Sequence, residues 1–90
     1  MNRVIDQLDR QRFELEEEGK LAFASYRREG NLIIVPHVEA DPALRGHGAA
    51  GRLMGGMLDI IRSRGEKVRP LCGYAAAWIQ RHPQYHDLIG

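Results

Sequence analysis

The sequence has a single cysteine among its 90 residues. One thiol excludes an internal disulfide, and it excludes a cysteine-based zinc site within one chain, which needs two to four thiolates. Long hydrophobic runs are also lacking. Nothing approaches the ~20 apolar residues of a membrane span, and the start, Met1-Asn2-Arg3-Val4-Ile5-Asp6, has no apolar stretch of signal-peptide length. The expected setting is cytoplasmic, with no membrane partner. An excess of one charge is missing too: Lys and Arg total 13, Asp and Glu 12, and the net charge is +1. A chain that holds nucleic acid chiefly by its phosphates is normally more basic. Aromatic residues are 7% of the chain, which leaves few platforms for stacked bases. There is no internal repeat and no low-complexity linker. What is present is ordinary globular composition, 43% hydrophobic and 28% charged. A chain of this size buries about 64% of its unfolded surface. One small domain over residues 1–90 is expected.

The pattern changes along the chain. Residues 1–11 are polar with scattered Val4, Ile5 and Leu8, and read as a short turn or a loose arm. Phe13-Glu14-Leu15-Glu16 alternates apolar and acidic, the period of a half-buried strand. Glu18-Gly19 is a turn, and Leu21 to Tyr26 is a second strand that should pair antiparallel with the first. Leu32-Ile33-Ile34-Val35 is a continuous run that predicts a strand covered on both faces. Pro36 interrupts it and calls for an edge or a bulge, since it has no N–H to donate. His37-Val38-Glu39-Ala40 follows; when extended, it places His37 and Glu39 on one face and Val38 and Ala40 on the other. From His47 to about Arg64 the period becomes helical, with Ala50, Leu53, Met54, Met57, Leu58 and Ile61 along one face. Gly51, Gly55 and Gly56 each cost that helix roughly 0.8–1 kcal/mol relative to Ala. Lys67 to Cys72 reads as a last strand and Tyr74 to Arg81 as a second helix that stops before Pro83. Tyr85, Leu88 and Ile89 are then available to pack back. The order is β-β-β(β)-α-β-α, a mixed α/β (α+β) chain with its strands mostly at the front.

The chemical signal is Leu44-Arg45-Gly46-His47-Gly48-Ala49-Ala50-Gly51, between a strand and a helix. A helix N-terminus leaves about four backbone N–H groups without partners and carries roughly half a positive charge. A glycine turn at that point suits a phosphate or pyrophosphate. A P-loop needs Lys-Ser/Thr after its second glycine, and Gly48 is followed by Ala49-Ala50. Gly46 to Gly51 spells G-x-G-x-x-G, but three strands precede it and no second βαβ half fits. A third pattern, Arg/Gln-x-x-Gly-x-Gly/Ala, is met at every position by Arg45 to Ala50. A ligand-free structural turn is the alternative.

With these residues in view, the sequence resembles the GNAT (GCN5-related N-acetyltransferase) superfamily, whose coenzyme A pyrophosphate loop looks like Arg45–Ala50. Glu39 to Gly46, Pro70 to Ile79 and Arg81-His82-Pro83-Gln84-Tyr85 are similar to its minimal single-domain group, marked by a Cys-Gly or Cys-Ser pair after the last strand and an Arg-His-Pro-x-Tyr tail. Phe13-Glu14-Leu15, Ala22-Phe23 and Tyr26 match its start. The likeness spans roughly residues 10 to 88. It implies a mostly antiparallel sheet whose last two strands are parallel and splayed, with about two helices. It also implies acetyl-CoA (coenzyme A after transfer) in the gap. The pyrophosphate would meet Arg45, Gly46, His47, Gly48, Ala49 and Ala50, and the pantetheine arm the backbone of Val38 and Ala40. That group usually has Thr or a small polar residue where Val38 stands, a departure with little weight for main-chain contacts.

Acetyl transfer to an amine needs the amine neutral, and a lysine near pKa 10.4 must first lose a proton. Glu39 is the first candidate base; the alternative is a solvated carboxylate paired with Arg45 or Lys67. Cys72 is the second candidate catalytic residue, as a nucleophile beside a helix N-terminus or as a small packed residue. Tyr74 can protonate a leaving thiolate, and His37 can relay a proton. Trp78, His82 and Tyr85 are read as packing. His82 and His86 stand at i and i+4, but Pro83 breaks the helix that a metal pair would need, so no metal is expected.

The resemblance thus implies N-acetyl transfer from acetyl-CoA to an amine. There is no helical insert between the first two strands, so an open site for a protein amine or a polyamine is expected. The competing reading is a module that binds acyl-CoA without turnover. A third, a nucleic-acid patch of Arg45, Arg52, Arg62, Arg64, Lys67 and Arg69, is opposed by the balanced charge. Those cations are expected to meet adenosine phosphates or solvate a helix face. Monomer and homodimer both remain open.

Overall fold

The computed structural model describes residues 2–90. Five strands form one sheet in sequential order: β1 (Ile5–Gln7), β2 (Arg12–Glu17), β3 (Lys20–Glu29), β4 (Leu32–Ala40) and β5 (Lys67–Pro70). The first three pairings are antiparallel, and β4 and β5 are parallel. Between those two runs the crossover helix α1 (Ala49–Ser63); α2 (Gly73–Gln80) follows β5. Three 3-10 segments, Leu8–Arg10, Pro42–Leu44 and Pro83–Leu88, complete the described chain.

The expected loose arm is corrected. Residues 5–7 are a strand, paired with Arg12–Glu14 of β2. What holds it is tertiary: the Tyr26 hydroxyl donates to Asp6 Oδ1 at 2.6 Å, and Arg64 Nη1 donates to Asp6 Oδ2 at 2.7 Å. The β2–β3 turn has Glu18 at φ 52 and Gly19 at φ 72, the positive angles that a two-residue hairpin turn uses to continue the sheet twist.

Pro36 does not divide the strand in two. β4 runs through it, and the β3–β4 register jumps between Ser25 and Arg27, so Val35 and Pro36 together face Tyr26. This is a bulge, one of the two places where a proline fits a sheet. The last strand ends at Pro70, two residues earlier than expected. Pro70 is the final residue on the β5 side of the ladder, opposite Val35.

One face of the sheet carries Phe13, Leu15, Ala22, Ala24, Tyr26, Ile33 and Val35, and both helices pack on it. Leu53, Met54, Met57, Leu58 and Ile61 of α1 are fully buried there. Each such side chain contributes about 1.5–3 kcal/mol, which outweighs the propensity cost of three helical glycines. The glycines also have neighbours. A Cβ at Gly51 would stand 3.2 Å from Trp78 Nε1, and one at Gly56 would overlap Val4. The rings of Trp78 and His82 stack at 3.6 Å, and Leu88 is buried. Ile89 is 46% exposed, although it bridges to Val68.

Candidate coenzyme A groove

The bulge at Pro36 decides which main-chain groups of β4 are free. The carbonyl of Val35 accepts from the amides of Leu71 (2.9 Å) and Cys72 (3.1 Å), so Val35 points toward β5. Asp41 N–H donates to Leu21 O at 2.9 Å, so Asp41 points toward β3. Amide directions alternate along a strand. His37 and Glu39 therefore point toward β3, and Val38 and Ala40 toward the side that β5 has left. Without the extra bulge residue these directions would be reversed. Beyond Val35 the two strands part, because the chain after Pro70 turns into α2.

At the far end of this gap lies the glycine turn. The Asp41 side chain accepts from Ala43 N–H at 2.9 Å and opens the 3-10 segment, whose Leu44 is buried and pins the loop. Gly46 and Gly48 take φ of 82 and 79, left-handed conformations that favour glycine. Gly48 is the residue before α1 and offers no capping side chain. Among the described residues, the amides of Gly46, Gly48, Ala49, Ala50 and Gly51 donate no backbone hydrogen bond. Free donors converging on a helix N-terminus form an anion cradle. The donor set fits a pyrophosphate, and the outward amides of β4 fit an extended amide-bearing arm.

Two cavities join these features. One of ≈ 260 Å³ is lined by Arg45, Gly46, Gly48, Ala49 and Tyr74 among others. The second, of ≈ 400 Å³, is lined by His37, Val38, Glu39 and Tyr74 among others. Ala40, Arg45, Ala50 and Tyr74 line both, so the two cavities adjoin along a channel-like depression from the loop to the free edge of β4. Of the residues singled out in the sequence, Val38, Glu39, Ala40, Arg45, Gly46, Gly48, Ala49 and Ala50 line the channel, and His47 and Cys72 do not. Cys72 is half-buried against the core at the start of α2. Tyr74 stands where the two cavities meet, and burial raises its phenol above the usual 10.0.

Glu39 pairs with neither Arg45 nor Lys67. His37 Nε2–H donates to its Oε1 at 3.0 Å, with both side chains more than half exposed. Three arginines of the basic stretch are held in ion pairs: Arg52 with Glu17, Arg62 with Asp87 and Arg64 with Asp6. Lys67 Nζ donates to Asp87 O at 2.7 Å. Arg52 has a further contact that sequence reasoning missed: Nη2 donates to the carbonyl of His47 inside the loop, at 2.8 Å. His82 and His86 donate ring N–H groups to the carbonyls of Trp78 and Ile79.

A mixed sheet with a parallel, parting β4–β5 pair and a glycine turn opening the crossover helix is the architecture of the GNAT fold class. The family model for the GCN5-related N-acetyltransferases matches residues 12–88, and the chain belongs to that family. The NMR structure of a GCN5-like protein from Staphylococcus aureus superposes with a TM-score of 0.74 at 22% identity, covering 100% of this chain and 91% of that one. It establishes the shared fold. Comparison with curated proteins finds no match.

Proposed function

We propose that the protein transfers an acetyl group from acetyl-CoA to a primary amine presented at the open edge of β4. The observation that carries this reading is the pair of adjoining cavities that run from the free loop amides to Glu39. Acetyl-CoA supplies an activated thioester carbon, and the protein must hold the donor and remove a proton from the amine. The amides of Gly46, Gly48, Ala49 and Ala50 hold the pyrophosphate, with Arg45 at the rim. The main chain of Val38 and Ala40 holds the arm. His47 shapes the loop through its backbone.

Glu39 is the base. Its carboxylate is on the exposed side of β4, one residue from each arm-binding position, and His37 orients it by the 3.0 Å hydrogen bond. Tyr74 keeps its proton at neutral pH and can supply it to the departing sulfur. Cys72 forms part of the packed wall beside the splay, a reading supported by its half-burial and its absence from the channel lining.

The test has two parts. Acetyl-CoA titrated into ¹⁵N-labelled protein should shift the amides of Gly46, Gly48, Ala49 and Ala40. Glu39→Gln should then lower kcat with an amine acceptor by about 10²-fold or more, the usual scale of general-base catalysis, while Cys72→Ser should keep most activity. Unmoved loop amides at millimolar acetyl-CoA would overturn the reading. Binding with no coenzyme A released in the presence of any amine would leave the non-catalytic binding module.

A further inference from the structure

We infer that Arg52 and Glu17 form a clamp that holds the phosphate loop in its binding shape, which makes Arg52 a positioning residue of the groove and not a phosphate ligand. The inference rests on the reading of that loop as the coenzyme A site. Arg52 stands one helical turn after Gly48 on α1. Its guanidinium forks onto Glu17 at the end of β2, with Nε and Nη2 each 2.7 Å from a carboxylate oxygen. The same Nη2 reaches the carbonyl of His47 at 2.8 Å. The loop is thereby tied to the sheet through one side chain.

Three observations separate this arrangement from an ordinary surface ion pair. The third contact is to the main chain between Gly46 and Gly48, the two residues whose positive φ shapes the cradle. Holding the His47 carbonyl fixes the peptide unit whose N–H side belongs to Gly48. Next, Gly48 leaves the space that the guanidinium uses: a Cβ there would lie 3.0 Å from Arg52 Nη1. The glycine thus serves both the backbone angle and the approach of Arg52. Finally, the partner is well placed to keep Arg52 from turning outward. The Glu17 side chain is only 15% exposed against 52% for Arg52. The Arg52 hydrogen bonds hold its carboxyl below the usual carboxylate range.

The Arg52 guanidinium places three of its five N–H donors on Glu17 and His47, and the Glu17 carboxylate offsets its charge. The contribution of Arg52 is to keep the donor amides of Gly48 and Ala49 in place before the ligand arrives, which reduces the ordering cost of binding. A ligand role and a clamp role therefore predict opposite results when Glu17 is neutralised. Freed from Glu17, a phosphate-binding arginine would bind more tightly, whereas a clamp would fail.

The experiment compares wild type with Glu17→Gln, Arg52→Ala and Arg52→Lys. Affinity is measured by calorimetry with acetyl-CoA and with 3′-dephospho-coenzyme A. In parallel, hydrogen exchange is followed in the ligand-free protein at Arg45 and His47, the loop amides that donate to Pro42 O and Leu44 O. The clamp predicts that Glu17→Gln and Arg52→Ala each weaken both ligands by about tenfold, the scale of a lost charged hydrogen bond. Loop exchange speeds up in the same variants without ligand, Tm changes little, and kcat at saturating acetyl-CoA is kept. Arg52→Lys should recover only part, since a lysine has no planar fork. Tighter or unchanged binding in Glu17→Gln overturns the clamp, as does unaltered loop exchange. Failure of wild type to bind either ligand would sink the coenzyme A reading instead, and the exchange data would still decide the clamp.

Discussion

Tyr26, Tyr74 and Tyr85 all have phenols raised above the ordinary 10.0, each chiefly by burial. For Tyr26 and Tyr85 the hydrogen bonds to Asp6 and Asp59 add to the effect, since a neighbouring carboxylate disfavours the phenolate. In the unfolded chain these groups ionise near pH 10. Above that pH the unfolded state binds fewer protons than the native state, so stability must fall as pH rises. The contribution is complete below pH 10 and is lost as pH climbs through the raised native values. Absorbance at 295 nm should show no tyrosine step at the ordinary value in native protein, while the denaturant midpoint should decline from about pH 10 upward. A full native titration at the ordinary value would refute this. At this scale the loop was legible because its residues are contiguous. Arg45 to Ala50 is a string, and a string can be compared with known patterns. The Arg52–Glu17 pair was not legible. Its members are 35 positions apart, and a chain with 13 basic and 12 acidic residues offers too many candidate partners.

Helix α1 shows how one substitution changes sign between adjacent positions. A Cβ at Gly55 would meet Tyr85 at 3.8 Å and Trp78 at 4.0 Å, ordinary contact distances. Alanine there should recover the helix propensity, roughly 0.8–1 kcal/mol. One residue on, a Cβ at Gly56 would overlap Val4 and lie 2.6 Å from Asn2 Oδ1. Asn2 also donates to Gly56 O at 2.8 Å, so the N-terminal segment is built onto that bare helix surface. Gly55→Ala should raise Tm by several degrees, and Gly56→Ala should lower it despite the same gain in propensity. Chemical denaturation of both variants decides; equal shifts would mean that the segment simply moves aside. The elements themselves were readable where a period ran long enough. α1 repeats its apolar face over four turns and was placed within two residues. β1 has three residues and no alternation, and its pairing depends on Asp6 meeting Tyr26 and Arg64, groups far off in sequence. Pro36 was rightly tied to a bulge or an edge. Its consequence, the reversal of amide directions that frees Val38 and Ala40, needed the register of β3 against β4.

Across the whole molecule, both helices lie on one face of the sheet, and among the described residues no helix crosses the other. That second face carries Arg12, Phe23, Ser25, His37 and Glu39, with Arg12 over the Phe23 ring at 4.4 Å. Glu39 reaches the channel from this side, at 56% exposure. A small metabolite is selected by walls that surround it, and a pocket of that kind buries most of its ligand. Here one wall is a flat, half-polar sheet surface. It can support an extended chain on either side of the reacting amine, and it gives little purchase to a free amine of a few atoms. The proposed acetyl transfer should therefore favour a lysine side chain or an N-terminus within a peptide. With acetyl-CoA saturating, kcat/KM should rise as peptides lengthen on both sides of the amine and exceed that for free lysine. Phe23→Ala should flatten this dependence on length, since Phe23 stands directly opposite Glu39 in the β3–β4 register, while the rate with the small free amine stays nearly constant. High selectivity for one small amine, indifferent to Phe23, would show that the uncovered face takes no part in acceptor choice.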